Sequence, residues 1–190
     1  LIVKGGPGTG KSVISLNALA SLTKERLNVK YVTANAAPRT VFQAKLRGLV
    51  KGDQVKHLFS GSGSFTGAQK DSMDVLIVDE AHRLRLKSGM FQNLGEDQTK
   101  EIINSARMSV FFIDEAQKVT WADVGEVNRI KAHAANSGAE VEILELASQF
   151  RCSGSDDYMA WLDDVLGVKA ERENYFSPSR YEFKIFDSPL

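Results

Sequence analysis

Apolar positions along the chain fall into two kinds of run. Residues 75–78 and 110–113 are continuous apolar stretches, the pattern of strands buried on both faces of a parallel sheet. Residues 141–146 predict a further buried strand, and 29–34, rich in Val, Tyr and Thr, another. Residues 1–4 form a short apolar run that stops at the turn cluster Gly5-Gly6-Pro7. Helical spacing runs over 11–22 without a breaker. Pro38 is placed to open a helix whose Phe42, Leu46, Leu49 and Val50 share one face. Residues 98–106 and 123–135 predict two more helices. Ser155 can cap a last one with the stripe Tyr158, Trp161, Leu162 and Val165. Residues 61–64 and 88–97 read as loops, and 181–186 alternates like a strand. This alternation predicts an α/β domain, a mostly parallel sheet with helices on both faces. The expected domain spans 1–170, and 171–190 is expected to be a tail that begins a further part.

Composition narrows the class. With 190 residues, 43% hydrophobic and 25% charged, the chain is an ordinary globular one that buries roughly 70% of its unfolded surface. Twenty-four basic and 24 acidic side chains cancel, yet residues 1–70 carry a net +9 and the remainder −9. Such asymmetry is a compositional hint of an anionic partner for the first part, with a plain solvated face as the alternative. Cys152 is the single cysteine and cannot form an intrachain disulfide, so the expected location is cytoplasmic or another reducing compartment. No apolar run approaches the ~20 residues that cross a bilayer, so no membrane partner is expected. The chain begins without Met and inside a predicted strand, which suggests a domain excised from a longer protein.

Gly5-Gly6-Pro7-Gly8-Thr9-Gly10-Lys11-Ser12 fits the phosphate-loop pattern G-x-x-x-x-G-K-[ST] between a predicted strand and a predicted helix. The glycines let backbone N–H groups turn inward around phosphates. The helix N-terminus adds partial positive charge. Lys11 would reach the β- and γ-phosphates and the Ser12 hydroxyl would ligate Mg2+. A second, metal-side carboxylate is then needed at the tip of a neighbouring buried strand. Two candidates exist, Asp79-Glu80 after the run at 75–78 and Asp114-Glu115 after that at 110–113. In either, the Asp can hold Mg2+ through water while the adjacent Glu polarises an attacking water, the arrangement of a hydrolase.

With Asp79-Glu80-Ala81-His82 followed, 35 positions after Asp79, by Asp114-Glu115-Ala116-Gln117, the chain resembles the first motor domain of superfamily-one DNA and RNA helicases. The later Leu146-Ala147-Ser148-Gln149-Phe150-Arg151 is similar to that family's fourth motif. Together these motifs look most like the Schlafen-type helicase-like branch, over roughly residues 1–165. The resemblance implies a RecA-like P-loop fold with ATP and Mg2+ as cofactors. It makes Asp79 the metal carboxylate, Glu80 the catalytic base and Gln117 a γ-phosphate sensor, with His82 linking the metal site to the rest of the motor. Phe150 would stack on the nucleotide base and Arg151 would reach the γ-phosphate, its guanidinium suited to charge developing on a transferring phosphoryl group.

The segment holding Thr33 and Asn35 resembles the place where such motors touch a nucleic-acid backbone. Ser60 is a second candidate, and Trp121 a candidate base-stacking aromatic, a contact worth ~1–3 kcal/mol per base. The partner implied is single-stranded DNA or RNA. The family's second motor domain, expected elsewhere in the same polypeptide, has no motifs here, so this chain alone is not expected to unwind duplexes. The alternative is a nucleotide-gated nucleic-acid-binding or sensor module without translocation. A small-molecule kinase fits less well, since it has little use for a water-activating Glu80 or a sensor Gln117.

Overall fold

A computed structural model describes residues 1–46, 57–148, 150, 161, 165, 167 and 186–188 of the chain. It divides into two compact units, Leu1–Ala147 and Ser148–Leu190. The first unit contains one sheet of six strands: β1 (Ile2–Gly5), β2 (Val29–Thr33), β3 (Phe59–Gly61), β4 (Met73–Asp79), β5 (Ala106–Ile113) and β6 (Ile143–Leu146). Their order is β3-β2-β4-β5-β1-β6, and every pairing is parallel. The described helices include α1 (Lys11–Lys24), α2 (Ala36–Leu46), α3 (Gln98–Ser105) and α4 (Val127–Asn136). This is the α/β arrangement that the alternating pattern predicts, in the RecA-like form that the motif resemblance implies.

The continuous apolar runs serve two cores. Successive side chains of a strand point to opposite faces. In β4, Val75 and Ile77 pack with Leu19 of α1, and in β5 Val110 and Phe112 join them, with Phe42 of α2 packed alongside. On the other face Leu76, Val78, Phe111 and Ile113 pack with Ile102 and Ile103 of α3 and Ile130 and Ala134 of α4. Complete burial of each such side chain contributes about 1.5–3 kcal/mol, and both runs are apolar throughout because neither face meets water.

This layering also makes a topological switch point between β1 and β5. The connection leaving β1 carries α1 over one face, whereas that leaving β5 carries α4 over the other and returns as β6 beyond β1. Adjacent strands whose connections depart to opposite faces open a crevice at their carboxyl ends. The Gly5–Ser12 loop follows β1 at that end, and Asp114 follows β5.

Three expectations change. Residues 61–64 are not a plain loop: Gly61 ends β3, and Ser62–Phe65 form a 3-10 turn whose Phe65 is buried in the core. Residues 141–146 do not form a buried strand: β6 is the last of the described strands on its side of the sheet, with Ile143 and Leu144 exposed. The helix expected from 123 begins only at Val127. Before it, Asp123 is committed to a turn in which its carboxylate accepts Val119 N–H and Thr120 N–H, at 3.2 and 3.0 Å. Gly125 meanwhile lies so close to the Ala81 carbonyl that a Cβ would collide with it. The helix expected from 155 and the strand at 181–186 lie almost wholly outside the described residues. Among the described residues, no helix is long and apolar enough to cross a membrane.

One carboxylate ties two helices together. Asp97 caps α3 by accepting Thr99 N–H at 2.8 Å and Lys100 N–H at 3.3 Å. Its other oxygen takes Arg129 Nε at 2.8 Å and contacts His133 Nε2 at 3.0 Å, both from α4. Burial works to raise the Asp97 carboxyl, but the Arg129 hydrogen bond and charge, His133 and the Thr99 amide outweigh it and hold it below the usual range.

This packing can be tested at two residues. Asp97→Asn should destabilise the domain by about 2 kcal/mol near neutral pH, since it weakens a cap and leaves Arg129 without its partner. The folded-state value lies below the unfolded one, so the loss should be full above about pH 4 and vanish as pH falls through the lower folded value. Denaturant titrations of both proteins across that range test the sign. Gly125→Ala should cost about 3 kcal/mol by overpacking against rigid backbone, read in the same titration at neutral pH.

Candidate functional site

At the carboxyl ends of β1, β4 and β5 the described polar residues converge on two carboxylates. The loop after β1 turns on Gly8 and Gly10, at φ 81° and 85°, values that side-chain-bearing residues rarely adopt. Gly5 is required for space, since a Cβ there would stand 2.5 Å from Thr9 Oγ1. Thr9 is held inward by donating its hydroxyl to Gly6 O at 3.0 Å. Lys11, buried at the first position of α1, donates Nζ to Gly5 O at 2.6 Å and Gly6 O at 2.8 Å. The same ammonium lies 3.7 Å from Asp114 Oδ2.

Asp79, last residue of β4 and buried, collects three donors. Ser12 Oγ gives a hydrogen bond to its Oδ2 at 2.8 Å, and the Tyr31 hydroxyl donates to the same oxygen. Glu80 N–H donates to Oδ1 at 3.0 Å. Tyr31 is wholly buried on β2. Burial, with the neighbouring Asp79 charge, pushes its phenol far up, so it is a fixed donor at any ordinary pH. Ser12 and Asp79 thus present hard oxygens side by side, the donor chemistry that suits Mg2+ with its remaining positions taken by water and phosphate.

Glu80 follows with φ 53° and ψ 46°, a left-handed conformation in a residue that has a side chain. Strain of this kind costs of the order of 1–3 kcal/mol and persists where the surroundings enforce it. Burial pushes the Glu80 carboxyl up, Asp79 adds to this, and Lys11 opposes it. His82 Nε2 lies 3.1 Å from Glu80 Oε2. Burial depresses the imidazole below its ordinary value, so near neutral pH it is uncharged and donates Nε2–H. Nδ1 is then the acceptor nitrogen, and it is buried without a hydrogen-bond partner.

The second acidic strand closes the group. Asp114 caps the short 3-10 turn Glu115–Gln117 by accepting Ala116 N–H at 3.2 Å, and Gln117 Nε2 donates to its Oδ2 at 2.7 Å. Asp114 therefore stands between Gln117 and Lys11, a linking role that motif reading alone does not assign. Motif reading passes over Tyr31 as well. Its signal is present in the sequence, since a tyrosine inside a buried strand needs a partner for its hydroxyl.

Among the described hydrogen bonds, the other candidates take part in none of these. Thr33 is buried at the end of β2, opposite Asp79 in the ladder, and its hydroxyl has no partner. Asn35 is exposed just beyond it, and Ser60 is buried in β3 beside Val32. Trp121 is fully exposed. Phe150 is exposed and belongs to the second unit, and Arg151 lies outside the described residues.

Comparison with known proteins gives the following. Among solved structures, a Pif1 helicase from a study of DNA unwinding at forked duplexes is 12% identical with a TM-score of 0.47, over 87% of this chain and 43% of that one. AMPPCP-bound DnaA from Aquifex aeolicus is 15% identical with a TM-score of 0.38, over 91% of this chain and 47% of that one. The chain thus spans less than half the length of either. No curated protein matches it in sequence. The model of the Schlafen group 3 DNA/RNA helicase domain matches residues 1–190. Its match takes in the phosphate loop and both acidic strand ends, and the chain belongs to that family.

Proposed function

We propose that this helicase-like domain binds ATP with Mg2+ and hydrolyses it as the first half of a nucleic-acid motor. The observation that carries the reading is the 2.8 Å hydrogen bond between Ser12 Oγ and Asp79 Oδ2, which joins a phosphate loop to the end of a second strand. Ser12 and Asp79 would hold Mg2+, Asp79 through water, and the ion would neutralise charge on the β- and γ-phosphates. Lys11 would exchange the Gly5 and Gly6 carbonyls for phosphate oxygens. The loop amides and the start of α1 would bind the remaining oxygens.

Glu80 is the group suited to take a proton from the attacking water. Its carboxyl is raised, which brings a base closer to its working pH, and the neutral His82 orients it through Nε2–H. Gln117, tied to Asp114, would report the γ-phosphate to the rest of the domain. Thr33, Asn35, Ser60 and Trp121 are proposed contacts to single-stranded DNA or RNA. Turnover by this domain alone should be slow, because the second motor domain of the polypeptide supplies part of the site.

Lys11→Ala should abolish ATP binding in a titration. Glu80→Gln should keep binding and lose turnover by about a hundredfold or more. In the full-length protein, single-stranded DNA or RNA should stimulate hydrolysis. Unchanged binding in Lys11→Ala would show the site to be misassigned. Hydrolysis indifferent to both nucleic acids would replace the motor with a nucleotide-gated sensor.

A further inference from the structure

The stretch Arg83-Leu84-Arg85-Leu86-Lys87 alternates cations with leucines and leads into Ser88-Gly89-Met90-Phe91-Gln92-Asn93-Leu94. Between Arg83 and Gly95 the sequence has three cations and no carboxylate. Leu84 is fully buried. Arg83, Arg85 and Lys87 line one polar cleft of about 160 Å3 together with Asn35 and Ser62. Arg83 is ion-paired with Asp123, Nε to Oδ2 at 3.4 Å. Arg85 and Lys87 are exposed, and neither side chain pairs with a described carboxylate.

The loop beyond them is built rather than loose. Ser88 and Leu94 exchange backbone hydrogen bonds at 2.8 and 3.1 Å, and Gln92 N–H closes a turn on Gly89 O at 3.1 Å. Gln98, the first residue of α3, fastens the root: its Oε1 accepts Arg85 N–H at 3.0 Å and its Nε2 donates to Ser88 Oγ at 3.0 Å. A tip held this firmly would ordinarily carry polar turn residues. Here it carries Met90 and Phe91, 91% and 82% exposed. Asp123 borders both this cleft and the neighbouring one beside exposed Trp121.

We propose that residues 83–94 form a clamp for single-stranded nucleic acid, with Arg85 and Lys87 on backbone phosphates and Phe91 stacked on a base. Cations without a described carboxylate partner, six and four positions before an exposed aromatic on a pinned loop, match the two recognition elements such strands need, charge along the backbone and a ring for a base. An apolar protein partner would be served by Met90 and Phe91 but would leave two cations unmatched. The clamp rests on the proposed nucleic-acid role of the domain, and it adds residues that the motif comparison does not supply.

The test is fluorescence anisotropy of labelled oligothymidylate and oligouridylate with the full-length protein across a salt series. Arg85→Gln with Lys87→Gln should weaken binding about tenfold and lower the slope of log affinity against log salt by about 1.4, or ~0.7 for each phosphate no longer neutralised. Phe91→Ala should weaken binding about tenfold with the slope unchanged, and Phe91→Trp should restore it. On an abasic strand the Phe91 effect should disappear while the charge effect remains. Thermal melts matching the wild type exclude misfolding as the cause. Wild-type affinity in both variants would overturn the clamp while leaving the nucleic-acid role intact. Failure of the unaltered protein to bind either strand would overturn both. Equal displacement of the strand by polyglutamate would overturn the clamp in favour of an acidic protein partner.

Discussion

Asp79 is the buried charge around which this domain is arranged. A carboxylate at the end of a central strand is costly to bury unless its oxygens are satisfied. Here a serine from the first turn of α1, a tyrosine from β2 and the next backbone amide satisfy it. Those donors come from elements that need not have met. Their meeting sets α1 against β4 and aligns β2 beside it, and it leads the chain into the left-handed Glu80. The second acid, Asp114, is satisfied in a different way, by Lys11 across the loop and Gln117 below it. The two carboxylates share the lysine-bearing loop and the helix that follows it, and they differ in chemistry. One faces a hydroxyl, which suits a divalent cation. The other faces an ammonium and an amide, which suits reading the position of that lysine.

Electrostatics at the site separates the acids further. Asp79, Asp114 and Glu80 are close enough that Asp79 and Asp114 both act to raise Glu80. His82 answers with a hydrogen bond rather than a charge, since burial keeps it neutral. A positive imidazole would pull the Glu80 carboxyl down and weaken it as a base. A neutral one holds it in place without that loss. The proposed division of labour, metal carboxylate and proton acceptor on adjacent residues, therefore follows from environment, because the side chains themselves are so alike.

On the proposed clamp, the cations that would meet a polyanion do not all lie in the segment of net positive charge. The +9 excess of residues 1–70 includes Lys11, whose ammonium is spent inside the phosphate loop. It also includes cations on residues outside those described. The unpaired cations nearest the aromatic loop, Arg85 and Lys87, sit in the segment of net −9. Sums along the chain cannot see this, because a cleft is assembled from the end of β2, a 3-10 turn and the loop after β4 at once. The alternation of cations and leucines over 83–87 is the local signal, of which Leu84 is buried and Leu86 exposed.

Much of the architecture is legible in the order of residues. Two four-residue apolar runs ending in Asp-Glu, and a glycine-rich loop ending in Lys-Ser, suffice for parallel buried strands and a phosphate-binding turn. The reason is that each depends on neighbours within a few positions. Side-chain chemistry at those places also names the candidate residues, Lys11, Ser12, Asp79, Glu80 and Gln117. Folding adds that Asp79 faces Ser12 while Asp114 faces Lys11, that Tyr31 is a further partner of Asp79, and that the helix after Gln117 starts late, with Gly125 packed on Ala81. It also left Ile143 and Leu144 exposed in the last of the described strands, since an apolar run does not record which strands flank it. Contacts between residues far apart in the chain are fixed by the way two cores pack on one sheet, and that information is distributed over all of them.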